Sequence, residues 1–263
     1  MTSYVIVCAV ALAASWLTLI SGFGLGTLLL PAFALVFPLE IAISATAVVH
    51  LLNNLFKAAL VGRWALPRLV AAFGIPAAIG AFGGAWLLRI VAGRPPLTDW
   101  SAAGRTFEIT PTGLLVGTLV FVFAIAEFRG AKGSARIGPR WIPLGGLLSG
   151  VFGGLSGHQG ALRSTFLLRA GLTKERFIAT GVWCAVLVDC SRLSVYGPSF
   201  FTRHFEALGR GDGLQMMIAA TVSAFVGAFV GARLLHKVTL DAVHRLVGGL
   251  LVLFGVALAI GLV

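Results

Sequence analysis

The chain has 263 residues, of which 58% are hydrophobic and only 11% are charged, against about a quarter charged in an average soluble domain. This composition excludes a soluble globular domain. Although the formal net charge is +11, the sequence carries no basic, aromatic-studded motif, so it also excludes a nucleic-acid-binding surface.

Apolar runs recur along the whole chain, and most reach the roughly 20 residues needed to cross about 30 Å of hydrocarbon. They predict an all-α, polytopic transmembrane protein. The first run lacks the basic leading region of a signal peptide, so it is interpreted as mature sequence. The predicted segments cover residues 2–20, 26–37, 41–62, 68–92, 110–128, 141–155, 160–172, 175–197, 213–235 and 239–262.

Two of these segments, 26–37 and 160–172, are too short to cross a membrane alone. Each follows a glycine-rich turn, SGFGLG in the first case and GGLSGHQG in the second. Non-helical backbone at membrane depth must be buried in protein or line a cavity, because lipid cannot satisfy its polar groups. We therefore expect the two turns to meet near the midplane, where short helices beginning at Gly26 and Gly160 would attract an anion to their N-termini.

The two short segments also mark an internal repeat. A shift of 134 residues, the distance from Gly26 to Gly160, also aligns Thr46 with Thr180 without a gap. Further on, GAFGGAWLL in the first half matches GAFVGARLL in the second. The chain is therefore predicted to consist of a first transmembrane repeat, a basic connecting loop and a second transmembrane repeat. These cover residues 1–128, 129–140 and 141–263.

Loop charges indicate how the repeats are oriented. If the basic connecting loop lies inside, Arg63, Arg68, Lys174 and Arg176 lie on the same side, and Arg89 lies outside. This distribution holds if each short segment forms a hairpin or re-entrant pair with the segment before it. If each pair instead formed one broken crossing, the Arg233 to Arg245 cluster of the second repeat would lie outside. The charges therefore favour about five segments in each repeat, inverted topology, and both termini outside. Inverted repeats with interrupted helices in matching positions are typical of secondary transporters.

The stretch SGFGLGTLLLPAFALVFPLEIAISAT, followed by LLSGVFGGLSGHQGALRSTFLLRAGLTKERFIATG, resembles the sulfite exporter TauE/SafE family. The resemblance covers essentially the full chain. It implies a multi-pass inner-membrane exporter or permease of small sulfur-containing or carboxylate anions, including sulfite, sulfoacetate and related sulfonates, driven by the proton gradient. The family usually has a glycine run where this chain has Ser156, Gly157, His158 and Gln159, so the resemblance does not transfer the identity of the substrate.

The candidate substrate site centres on the second glycine-rich turn. Arg163 is a functional candidate because an intramembrane arginine is costly and its guanidinium suits sulfonate, sulfite or carboxylate oxygens; the alternative is that it binds lipid headgroups. His158 and Gln159 would donate to the same anion, although a membrane histidine can also be a packing residue. The predicted substrate-binding residues are Gly24, Gly26, Asn53, Asn54, Ser156, Gly157, His158, Gln159, Gly160 and Arg163.

A polar stripe on one helix of the first repeat contains His50, Asn53, Asn54 and Lys57 at helical spacing. It must point into protein or a cavity, and interhelical hydrogen bonding is the alternative to a functional role. Lys57 lies near enough to Arg63 to snorkel, so it is not included in the predicted site.

The corresponding helix of the second repeat carries Asp189 and Arg192, three residues apart. They are expected to form a structural ion pair near the outer end of the helix, with a gating or proton-coupling role as the alternative. The residues predicted to couple protons or gate the pathway are His50, His158, Asp189 and Arg192.

No cofactor, metal or nucleotide site is predicted, because the sequence has no phosphate-binding loop, no paired catalytic carboxylates and no metal-ligand spacing among its cysteines. An enzyme is therefore disfavoured, and a passive anion channel is the main alternative to a coupled carrier. The expected partners are a small anion, protons and membrane lipids. Two pairs of glycines at i, i+4 spacing are interpreted as sites of close helix packing, with a homodimer face as the alternative. These glycines are Gly80, Gly84, Gly227 and Gly231.

Overall fold

A computed structural model describes residues 2–21, 25–129, 138–199, 212–233 and 240–262. The described chain is almost entirely helical. A 3-10 turn follows α3, and a π-helical turn, Val70–Gly74, joins α4 to α5. The helices are α1 (Thr2–Ser21), α2 (Leu25–Ala34), α3 (Leu39–Val61), α4 (Pro67–Leu69), α5 (Ile75–Val91), α6 (Pro111–Arg129), α7 (Ile142–Ser156), α8 (Gly160–Leu168), α9 (Lys174–Ser199), α10 (Gly213–Arg233) and α11 (Leu240–Ala259).

Long apolar helices confirm the prediction of an all-α, multi-pass membrane protein. Within the described ranges, four helical stretches are long and apolar enough to cross a membrane. Their ends lie within a few residues of those expected from the sequence, because glycine, proline and charged residues interrupt the apolar runs at the same places. These stretches are Leu39–Trp64, Pro67–Val91, Lys174–Pro198 and Gly213–Arg233.

The two short segments are short helices. Helix α2 has 10 residues and α8 has 9, so each rises only about 15 Å and cannot span the hydrocarbon region. Helix α7 ends at Ser156 because Gly157 adopts a left-handed conformation with φ of +79°, which terminates the helix. The interruption between α7 and α8 therefore follows from the sequence at Gly157.

A two-stranded hairpin is an element that the sequence analysis misses. Strands β1 (Thr98–Ala102) and β2 (Arg105–Ile109) pair antiparallel between α5 and α6. Ala103 and Gly104 both have positive φ, as a tight hairpin turn requires. The Trp100 indole donates a hydrogen bond of 2.7 Å to the carbonyl of Ile260, which attaches the hairpin to the end of α11.

Two helix pairs pack backbone to backbone through glycine. Gly84 of α5 lies against the Val151 carbonyl of α7, and Gly227 of α10 lies against the Leu12 carbonyl of α1; a Cβ atom at either glycine would collide with that carbonyl. Gly80 and Gly231 make similar approaches one turn away within the same pairs. The four glycines thus lie in contacts within the chain, and small residues permit this close approach.

Helices α3 and α9 cross the centre of the molecule side by side and run antiparallel. One cavity is lined by residues near the start of α3 and residues near the end of α9. Another cavity is lined by residues near the end of α3 and residues near the start of α9. A hydrogen-bonded pair lies midway between them. The matched pairs are Ile43 with Tyr196, His50 with Asp189, and Lys57 with Ile178.

Candidate functional site

A buried polar cluster lies where α3 and α9 meet at mid-helix. It contains His50, Asn54, Asp189 and Arg192, and each side chain is at most 5% exposed. The i, i+4 spacing on α3 and the i, i+3 spacing on α9 place each pair on one face of its helix. The cluster therefore follows from helical periodicity once the two helices pack against each other.

Asp189 is the centre of this cluster. Its Oδ2 lies 2.6 Å from Nδ1 of His50 and accepts a hydrogen bond of 3.1 Å from the Asn54 amide. Its Oδ1 accepts a hydrogen bond of 3.0 Å from Nε of Arg192, and Nη2 of Arg192 lies 2.8 Å away. A buried carboxylate requires such partners to offset its lost hydration. The predicted Asp189–Arg192 ion pair is present, but it lies at mid-helix rather than near the end of α9.

Arg192 also contacts the second glycine-rich turn. Its Nη1 donates a long hydrogen bond of 3.4 Å to the Gly153 carbonyl of α7. A Cβ atom at Gly157 would lie only 2.8 Å from the same nitrogen. Glycine at position 157 therefore serves both the left-handed backbone and the approach of the guanidinium.

A cavity of about 390 Å³ opens on one side of the cluster. Its polar lining comes from three helices and includes both amide and cationic side chains. The apolar part is formed mainly by the first turns of α9. The lining residues are Thr18, Leu25, His50, Asn54, Lys57, Arg163, Phe177, Ile178, Gly181 and Val182.

Arg163 reaches the cavity from the first turn of the short helix α8. It is 7% exposed and lies against Gly181 of α9, where a Cβ atom would be 3.4 Å from its Nε. Its guanidinium is therefore inside the protein. The short helix begins at Gly160, as expected from the sequence, and so carries Arg163 on its first turn. The burial of Arg163 argues against a headgroup anchor.

Lys57 lines the same cavity, which corrects the expectation that it would snorkel towards Arg63. It is 3% exposed, and its ammonium group donates a hydrogen bond of 2.9 Å to the Thr18 hydroxyl. With its amide oxygen turned towards this group, Asn53 accepts a second hydrogen bond of 3.1 Å. No carboxylate of the described residues forms an ion pair with Lys57. The i+7 spacing from His50 was the sequence signal for its inward position.

Asn53 has a structural role beside the cavity rather than a place in its lining. It exchanges a hydrogen bond of about 3.0 Å with the Ser15 hydroxyl of α1. In the same amide orientation, its nitrogen donates to the Ala224 carbonyl of α10 at 3.2 Å. Asn53 thus joins three helices, which is the interhelical role that the sequence left open for it.

The two glycine-rich turns are in contact. A Cβ atom at Gly26 would lie 3.4 Å from the Gly157 carbonyl and 3.5 Å from the Thr46 side chain. His158 directs Nδ1 to the Ser156 carbonyl at 2.9 Å, and its Nε2 has no hydrogen-bond partner among the described residues. The Nε2 amide of Gln159 is likewise buried without a partner in the described part of the chain.

Apart from Asn53, the structure divides the predicted site residues into two groups. Arg163, Asn54 and His50 line the cavity, with Asp189 and Arg192 directly behind it. The residues of the turns do not line the cavity. This second group is Gly26, Ser156, Gly157, His158, Gln159 and Gly160; Gly24 lies outside the described residues.

The charges of this region favour an anion. Among the described residues, the buried charged side chains are three cations, Lys57, Arg163 and Arg192, and one carboxylate, Asp189. Because Asp189 offsets only one of the cations, the region carries excess positive charge. In a medium of low dielectric constant, this charge attracts an anion strongly.

Comparison with models of protein families identifies a matching family. Residues 7–258 of the chain match the family model described as Sulfite exporter TauE/SafE, which leaves only a few residues at each end unmatched. No curated protein and no solved structure matches the chain significantly.

Proposed function

Because the chain belongs to the sulfite exporter TauE/SafE family, and is therefore a multi-pass membrane transporter of sulfite or related anions rather than an enzyme, we propose that its anion binds in the cavity lined by Lys57 and Arg163. The observation that carries this proposal is the burial of both cationic side chains around one cavity. Excess positive charge buried around one cavity attracts an anion, because the low dielectric constant screens the charge weakly.

The chemistry of the lining suits an oxyanion. The Arg163 guanidinium offers a planar pair of N–H donors, which match two oxygens of a sulfite, sulfonate or carboxylate group. Lys57 adds a compact charge, and the anion in turn stabilises its ammonium form. The Asn54 amide supplies a neutral donor.

Helix contacts support two inverted repeats and hence transport by alternating access. The repeats pair α1 with α7, α3 with α9, α5 with α10 and α6 with α11. Contact of α5 with α7 is then equivalent to contact of α10 with α1, and both are extensive. The equivalent helices α3 and α9 run antiparallel, as a twofold axis in the membrane plane requires. Rocking of one repeat against the other would then expose the central cavity alternately to each side.

The His50–Asp189 pair is the proposed site of proton coupling. When this pair takes up a proton, the region around the cavity gains one positive charge, which strengthens anion binding. By thermodynamic linkage, a bound anion strengthens proton binding by the same factor. This mutual preference couples the anion to a proton moving in the same direction. We place the protein in the inner membrane, where a proton gradient can drive such a carrier.

The test is flux of labelled anions in proteoliposomes with and without an imposed pH gradient. The compounds are sulfite, sulfoacetate, taurine and a simple carboxylate. The parent chain is compared with Arg163→Ala and with Arg140→Ala, which removes an exposed arginine outside the cavity. We expect gradient-dependent flux in the parent and in Arg140→Ala, and loss of flux in Arg163→Ala with folding retained.

Two results would contradict the proposal. Flux by Arg163→Ala equal to that of the parent would place the anion elsewhere. Anion flux that does not respond to the pH gradient would favour a passive channel, because a channel built on the same cations needs no proton.

A further inference from the structure

A second cavity, of about 440 Å³, lies between the start of α3, the end of α5, the start of α6 and the end of α9. Its lining is mostly apolar, with a few polar groups. The buried members among these are Ser44, Thr112 and Tyr196, while Glu40 and Arg89 lie towards the surface.

The second cavity lies on the opposite side of the His50–Asp189 cluster from the cavity that holds Lys57. On α3, His50 lines the first cavity and Ser44 the second. These residues are six positions apart, or about 9 Å along the helix. On α9, Val182 lines the first cavity and Tyr196 the second, with Asp189 between them. The polar cluster and its apolar neighbours thus separate two cavities that lie along the same two helices.

Opposite membrane faces are indicated for the two cavities. The second cavity adjoins the hairpin, because the hairpin connects α5, which supplies Leu88, to α6, which supplies Thr112. The first cavity adjoins the start of α9, where Phe177 lies close to the exposed residue Thr173. Since α9 crosses from one end of the molecule to the other, the two cavities face opposite ends.

We propose that the second cavity is the opposite-face vestibule of the transport pathway, and that Arg192 is the side chain that closes the pathway between the two cavities. This inference rests on the proposed anion site in the first cavity. It adds the route by which the anion leaves that site, and it assigns the barrier to one residue.

Arg192 occupies the position that a gate requires. It lies on α9 between Asp189, which contacts the lining of the first cavity, and Tyr196, which lines the second. Its guanidinium is bound by Asp189 on one side and by the Gly153 carbonyl on the other, and is 1% exposed. It therefore closes the space between α9 and α7. An oxyanion offers the same paired acceptors as Asp189, so a passing anion can replace one of these contacts while Arg192 swings aside.

The vestibule is tested by cysteine labelling from each side of sealed vesicles with a charged, membrane-impermeant thiol reagent. The background chain has Cys8, Cys184 and Cys190 replaced by alanine. The reporters are Ser44→Cys in the second cavity and Ile178→Cys in the first. Exposed positions mark the two faces, Ser101→Cys on the hairpin and Thr173→Cys before α9, and Ile79→Cys, which is 64% exposed on an apolar helix face, reports lipid.

We expect Ser44→Cys to react from the side on which Ser101→Cys reacts, and Ile178→Cys to react from the side of Thr173→Cys. If Ser44→Cys resists the charged reagent and reacts only with a membrane-permeant one, as expected of Ile79→Cys, the second cavity is a lipid-filled crevice and the inference is wrong. Reaction of both reporters from the same side would also overturn it.

The gate is tested by adding Arg192→Gln to the Ser44→Cys chain. Asp189 keeps His50 and Asn54 as partners in this variant, which favours folding. We expect the reporter to react from both sides, because the barrier is lost. Arg176→Gln, which removes an exposed arginine from the same helix, should keep one-sided labelling. One-sided labelling in Arg192→Gln would assign the barrier to another residue.

If Arg192→Gln does not fold, Arg192→Lys replaces it. A lysine carries its donors on a single nitrogen and lacks the planar group that fills the space between Asp189 and the Gly153 carbonyl, so labelling from both sides is again expected. Labelling does not depend on bound anion. If the anion site lies elsewhere, Arg163→Ala will not change flux, but the sidedness of labelling will be as expected. Failure of the proposed function can therefore be distinguished from failure of this inference.

Discussion

His50 and Asp189 are 139 residues apart in the chain, yet Nδ1 of one lies 2.6 Å from Oδ2 of the other. They lie near the midpoints of α3 and α9, two antiparallel helices that correspond in the proposed repeats. Each side chain is at most 2% exposed. The contact therefore joins α3 to α9 at mid-helix, where a change in protonation acts on both helices at once.

Replacing Asp189 by asparagine should separate exchange from coupled transport. The amide keeps the size of the side chain but cannot hold a proton with His50, so accumulation driven by a pH gradient should be lost. Exchange of unlabelled internal anion for labelled external anion should continue, because Lys57 and Arg163 are unchanged and the amide oxygen can still accept a hydrogen bond from Arg192. Both activities are measured in proteoliposomes.

The matched control for this variant is Glu175→Gln, which removes an exposed carboxylate from the same helix. It should retain both activities. Accumulation by Asp189→Asn at the level of the parent would show that the proton is carried elsewhere.

Gly157→Ala should impair transport more than its backbone strain explains. Gly157 has φ of +79° and lies against Arg192, whereas Gly171 has φ of +73° and has no atom near the position of a Cβ. Alanine at either position should cost about 1–2 kcal/mol of stability in the left-handed conformation. Only Gly157→Ala should also reduce anion flux, because its methyl group displaces the guanidinium.

Thermal unfolding in detergent and flux in proteoliposomes measure these two effects separately. Equal loss of flux in Gly157→Ala and Gly171→Ala would mean that strain alone is responsible and that the position of Arg192 is not important for transport.

Gly84→Ala should destabilise the protein, whereas Gly83→Ala should not. A Cβ atom at Gly84 collides with the Val151 carbonyl of α7, but at Gly83 it meets no atom within 4 Å. Overpacking of this kind costs about 1–3 kcal/mol, while alanine at the open position favours the helix by up to about 1 kcal/mol. The two sites are neighbours on one helix, so the gain in helix propensity is the same for both substitutions. The measurement is the unfolding temperature in detergent. A lower unfolding temperature for Gly83→Ala than for Gly84→Ala would contradict the close packing of α5 against α7.

Much of the fold could be predicted from the sequence because membrane helices leave a strong pattern. Segment 160–172 lies close to α8, and the glycine turn before it ends α7 at Gly157 as the breaker pattern indicates. The polar stripe on α3 was also visible, because side chains three and four positions apart lie on one face.

The exact site could not be predicted because it depends on how the helices pack. Lys57 lies on the same polar face of α3 as His50, which the sequence shows. That its ammonium group stays buried depends on α1, because Thr18 of α1 accepts a hydrogen bond from it. Likewise, His158 and Gln159 lie in the expected turn, yet their side chains lie outside the cavity lining. The hairpin was not predicted, because the strong apolar pattern of the helices dominated the sequence. The turn residues Ala103 and Gly104 were the local signal for it.

The most direct test of the central claim is equilibrium binding of labelled sulfite to the purified protein and to Lys57→Met, which keeps the length of the side chain but removes its charge. A hydrogen bond to a charged group contributes about 1.5–3 kcal/mol, so the affinity should fall roughly 10- to 100-fold. Lys174→Met, at the exposed start of α9, should bind like the parent. Unchanged affinity in Lys57→Met, with the protein folded, would contradict the placement of the anion in this cavity.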